Sequence, residues 1–146
     1  MLKQMLNLVK VAKQKLDSKE RELQRNQIAI LRKNEQIDSI NFAISNTQMP
    51  NGGSFSTYQI QREAINAHLY EIEEIKGQIA LLKQQQEHIK NDIKVAHIEH
   101  EKMKHIYEKA RDEATLQAQK IESKNIDEVT IMLHTRQKIS EIYKGK

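Results

Sequence analysis

Apolar residues recur at every seventh position along the first third of the chain: Leu2, Val9, Leu16, Leu23, Ile30, Ile37 and Ile44. Between them runs a second column of Met5, Ala12, Lys19, Asn26, Lys33 and Ile40, apolar at both ends and polar in the middle. A strict seven-residue period keeps a narrow seam turned toward a partner helix and implies a left-handed supercoil. The aliphatic column drives pairing, while the polar centre of the other weakens it and helps to fix register. A second repeat follows: Ile65, Ile72, Ile79, Gln86, Ile93, His100, Tyr107, Ala114 and Ile121, with a companion column of His68, Ile75, Leu82, Ile89, Ala96, Met103 and Ala110. Its apolar character is strongest from Ile65 to Ile93 and thins toward the C-terminal part. Gly77 interrupts this repeat without a second breaker, and at ~1 kcal/mol helix is expected to run through it.

The two repeats are separated by Asn46–Thr57, which holds the only proline, Pro50, and two of the four glycines, Gly52 and Gly53. Proline lacks a backbone donor and the glycines relax the limit on φ, so helix is not expected to cross this stretch. Ser56 and Gln59 have capping-box spacing and predict a helix start near Thr57. The pattern therefore predicts an all-α fold: a long two-helix antiparallel coiled-coil hairpin in one domain, residues 1–146. Its first helix covers about 2–46, its turn 47–56 and its much longer second helix about 57–143. At ~1.5 Å per residue the helices would measure about 65 and 130 Å. Folding back at the turn would pair Ile44 near Tyr58 and Leu2 near His100, leaving roughly forty later residues without a partner. A lone helix with an apolar stripe is marginal in water. Ile121, Ile126, Val129, Met132, Leu133, Ile139 and Ile142 are thus expected to bind something else: a partner protein, or a second copy in a homodimer through the C-terminal part.

Composition agrees. There is no Trp, Phe occurs only at Phe42 and Phe55, and Lys, Glu, Gln, Ile, Leu and Ala dominate, as in coiled coils and not in compact globules. The absence of cysteine excludes disulfides and thiolate metal sites. No apolar run approaches the roughly 20 residues of a membrane span. The first ten residues lack a signal peptide's apolar block and cleavage site, so a cytoplasmic protein is expected. Residues 1–46 carry nine Lys/Arg against five Asp/Glu, residues 57–100 five against seven, and residues 101–146 ten against eight. A basic first helix facing a slightly acidic partner suits antiparallel pairing through flanking charges. Nucleic-acid binding is the other use of a basic excess, but no Lys/Arg block with interleaved aromatics occurs, so a solvated face is preferred.

No phosphate loop, nucleophile elbow or Cys/His metal spacing is present, and two packed helices form no concave pocket that excludes water. No enzymatic activity, cofactor or metal is expected. His97, Glu101 and His105 recur every four residues beside His100. One helix supplies an incomplete coordination shell, and a solvated stripe is the preferred reading.

Two stretches carry a family resemblance. The first is Tyr58-Gln59-Ile60-Gln61-Arg62-Glu63-Ala64-Ile65-Asn66-Ala67-His68-Leu69, which matches a Tyr-Gln pattern with aliphatics seven and eleven residues after the tyrosine; Gln61 stands where the pattern has an aromatic. The second is Lys124-Asn125-Ile126-Asp127-Glu128 followed by Arg136, similar to a basic, hydrophobic, Asp-Glu signature ahead of an arginine. With the hairpin architecture, these resemble the FliJ family, the coiled-coil component of the bacterial flagellar type III export apparatus. The virulence-secretion stalk proteins share the architecture and are an alternative. The resemblance implies a stalk similar to the γ subunit of rotary ATP synthases, at the export apparatus on the inner membrane. Its partners would be the hexameric export ATPase, the export gate's cytoplasmic domain and export chaperones. By position, Tyr58, Gln61, Ile65, His68, Leu69 and Ile72 would face the gate. The ATPase-facing set would be Ile126, Asp127, Glu128, Val129, Met132, Leu133 and Arg136. Ile65, His68 and Ile72 also lie on the seam column, and sequence alone leaves both assignments open.

Overall fold

The computed structural model describes residues 1–47 and 53–144, so Pro50 and Gly52 lie outside the described residues. It contains two helices, α1 (Leu2–Ser45) and α2 (Phe55–Lys144), and no strand among the described residues. Hydroxyls satisfy the last carbonyls of α1: Ser45 Oγ donates to Phe42 O at 2.8 Å and Thr47 Oγ1 to Ala43 O at 2.9 Å. Gly53 has φ +144°, a conformation that other residues rarely adopt. The N-cap of α2 is Ser54, not the expected Ser56. Its carbonyl accepts from the Thr57 N–H at 3.1 Å, and its hydroxyl lies 3.1 Å from Thr57 Oγ1. Two candidate N-caps, Ser54 and Ser56, lie two residues apart, and the upstream serine, directly after the positive-φ glycine, starts the helix. Helix continues through Gly77, where nothing lies within 4 Å of a would-be Cβ.

The chain divides into two compact units. The first, Ala12–Glu99, is the antiparallel two-helix seam. Its buried residues are Ala12, Leu16 (4% exposed) and Asn26 from α1, with Ile72 (6%), Ile75, Ile79, Ile89 and Ala96 from α2. Lys19, Leu23, Ile30, Ile37 and Ile40 are half-buried on the same columns. Burying one such leucine or isoleucine contributes about 1.5–3 kcal/mol, so this stripe supplies the driving force for pairing. Polar groups fix the register. Asn26 Nδ2 donates to Leu82 O at 2.9 Å, while its buried Oδ1 has no partner. Lys19 Nζ lies 3.3 Å from Asp92 and 3.2 Å from Glu22, and Lys15 lies 3.8 Å from Glu99. Hydrogen bonds to Glu22 and then Asp92 raise the Lys19 ammonium above its usual 10.5. Ion pairs this exposed stabilise little, but each opposes a slip of one helix along the other. The simple fold-back expected from sequence does not describe this register. Ile40 lines a groove with Glu71 and Ile75, Phe55–Ile60 are exposed, and the seam on α2 begins at Gln61.

The second unit comprises Met1–Val11 and His100–Lys146. Leu2, Met5 and Val9 are half-buried, as are Met103, Tyr107 and Ala110. Met1, Leu2 and Met5 line a groove with Ala110, Glu113, Ala114 and Gln117, so Leu2 sits beside this turn of α2 and not beside His100. The Arg111 guanidinium lies 6.0 Å from the Tyr107 ring centroid. From Arg111 to Lys144 every side chain is exposed, including Ala114 and Ile121, which the repeat had assigned to the seam. The stretch without any contact from the first helix therefore begins later than the fold-back arithmetic anticipated, beyond Gln117.

Candidate partner-docking surfaces

The C-terminal part of α2 carries a run of uncovered apolar side chains. Ile126, Val129, Met132 and Leu133 are each more than half exposed. Helical periodicity puts them on one face with Arg136 and turns Asp127 and Glu128 away from it. A shallow groove on this face is lined by Ala118, Ile121, Glu122, Asn125, Ile126, Val129 and Thr130. Ala118, Glu122, Asn125 and Thr130 were absent from the sequence-derived set. For Ala118, Glu122 and Asn125 the signal was available as helical spacing from Val129, which a search for apolar residues passes over. Local polar groups are satisfied within the helix: Thr130 Oγ1 donates to Ile126 O and Thr135 Oγ1 to Ile131 O, both at 2.9 Å. The face thus offers apolar area without an unmet backbone demand.

The other candidate set divides between two environments. Ile72 is buried in the seam; Ile65, on its column, and Gln61 and His68, on the companion column, are half-buried. His68 Nδ1 lies 3.9 Å from Glu71 Oε2. Gln61 Oε1 is buried with no hydrogen-bond partner. Tyr58 (40%) and Leu69 (48%) point outward, and Ile60 and Tyr70 are exposed near them in sequence. Of the three residues that belong both to the seam columns and to the gate-facing set, Ile72 is buried, while Ile65 and His68 keep part of their surface exposed.

Among the described residues no group of three or more His, Asp or Glu is gathered as a metal site. His97, Glu101 and His105 are all exposed. Among the described residues no helix is long and apolar enough to cross a membrane.

Comparison with protein families finds a match to the family described as "Flagellar FliJ protein" over residues 1–138, which takes in both the seam and the C-terminal docking face. No curated protein and no solved structure matches the chain.

Proposed function

The chain belongs to the FliJ family of flagellar proteins and is a component of the flagellar export apparatus; on that premise we propose that it is a non-enzymatic coupling element between the export ATPase and the export gate. The observation that carries this reading is the uncovered apolar face around Val129, with Ile126, Met132, Leu133 and Arg136 beside it. A ring of ATPase subunits can grip such a helix through modest apolar contacts and one charged hydrogen-bonding group. Contacts of that kind permit binding and release within a working cycle, whereas a deep hot spot would lock the partners together. Asp127 and Glu128, off that face, are placed to meet a second subunit of the ring.

In the same reading the gate's cytoplasmic domain takes the surface near the start of α2 through Tyr58 and Leu69. Gln61, Ile65, His68 and Ile72 hold that surface in place from the seam. Export chaperones are further partners, and the protein works in the cytoplasm, peripherally attached at the inner membrane. Removing the residues after Ser123 tests the ATPase assignment. Stimulation of the export ATPase is expected to disappear while the melting of the two-helix seam is retained. Undiminished stimulation by the shortened chain would refute the assignment.

A further inference from the structure

The exposed C-terminal face has an internal symmetry. Periodicity of 3.6 residues puts Ala118, Ile121, Val129, Met132 and Leu133 on one side of α2. Between Ala118 and Tyr143 that side carries two charges, Glu122 and Arg136. They stand one heptad before and one heptad after Val129, so each occupies nearly the same angular position as Val129 itself. Lys120 and Lys138, nine residues either side of Val129, fall on the opposite side of the helix. The two charges of this surface therefore complement each other when a second copy is turned end for end about Val129.

We propose that this face docks a second copy of the same segment in antiparallel orientation, about a two-fold axis at Val129, with Glu122 of each copy meeting Arg136 of the other. Three observations select this occupant. The apolar residues are uncovered, each of Ile121, Val129, Met132 and Leu133 being more than half exposed. The charge of the segment is divided along its length: residues 112–128 hold five Asp/Glu and two Lys, whereas 129–144 hold three Lys/Arg and one Glu. Antiparallel pairing lays the acidic half of each copy on the basic half of the other, and parallel pairing would set like on like. Finally, a two-fold interface makes every contact twice, so the Glu122–Arg136 pair counts double. The proposal does not rest on the export-ATPase reading. The two occupants use the same face, so self-docking excludes the ATPase and would keep the apolar stripe covered while the chain waits for it.

The test uses the full chain. Sedimentation at rising concentration should show a monomer passing into a dimer. Arg136→Glu should weaken the dimer roughly tenfold by turning two attractive pairs repulsive, and the double exchange Glu122→Arg/Arg136→Glu should restore it. Both positions are exposed, so at concentrations where the chain is monomeric helical circular dichroism and melting should not change. Because the chain has no cysteine, orientation can be read from introduced ones. Ala118→Cys mixed with Ser140→Cys should cross-link on oxidation, and Ala118→Cys alone should not. A monomer at all concentrations, an Arg136→Glu chain that associates undiminished, or self-cross-linking of Ala118→Cys would each overturn the proposal. Stimulation of the export ATPase by the double-exchange variant is read separately and bears only on the ATPase assignment.

Discussion

Two stretches of one helix, Ile65–Ala96 and Arg111–Lys144, are both rich in isoleucine and charged residues, yet their environments are opposite. In the first, Ile72, Ile75, Ile79, Ile89 and Ala96 are buried against α1. In the second nothing is buried. Reach separates them, not hydrophobicity: Met1, Leu2 and Met5, at the start of the chain, lie beside Ala110–Gln117 of α2. Through Ala110 the apolar residues of α2 keep the seven-residue register shared with α1. Beyond Ile121 the same columns become mixed, holding Glu128, Thr135, Lys124 and Lys138 as well as Ile131 and Ile142, while Ile126, Val129, Met132 and Leu133 turn to another face. A helix can be equally greasy along its length and still present one part to itself and another to a partner.

Paired truncations should break this contrast most visibly. Leu16→Ala or Ile72→Ala should cost about 2–4 kcal/mol in urea unfolding, because each removes a buried side chain from a packed seam. Leu133→Ala, by the same measurement, should cost less than about 0.5 kcal/mol. Equal losses at the two kinds of position would mean that the tail is packed against its own chain. Asn26→Leu sharpens the account of the polar layer. It removes a buried oxygen that has no partner, so the unfolding free energy should rise by about 1 kcal/mol while pairing of the helices becomes less selective, read by cysteine cross-linking across the seam. Lys19 should show the smallest effect. Its folded-state titration is raised by Glu22 and Asp92, so its contribution is fully present below the unfolded value near 10.5 and is lost as pH rises through the higher folded value. The stability difference between the native chain and Lys19→Met should therefore close above that range and also shrink with added salt.

Much of this was legible in the sequence. Both seam columns, the uninterrupted helix through Gly77 and the uncovered tail follow from a count of seven. The register did not. A heptad pattern is indifferent to slips of whole repeats, so Leu2 could be set against His100 as readily as against the turn at Ala110–Gln117 that it occupies. What selects among such slips is a handful of polar contacts, Asn26 to Leu82 and Lys19 to Asp92, whose partners lie far away in sequence. The start of α2 was misplaced because Ser54 and Ser56 offer the same capping chemistry. At the candidate sites, sequence located the apolar members around Val129 but not Glu122 and Asn125, which join them only by sharing a helical face. It also placed Ile72 on two surfaces at once; the fold buries that side chain in the seam.

Amide hydrogen exchange on the full chain, free and dilute enough to be monomeric, then with the export ATPase added, tests the central claim most directly. Amides of Arg111–Lys144 should exchange far faster than those around Leu16 and Ile72 in the free chain, and those near Val129 should slow when the ATPase is present. Protection of the free monomer's tail equal to that of the seam, or a tail that the ATPase leaves unchanged, would contradict it.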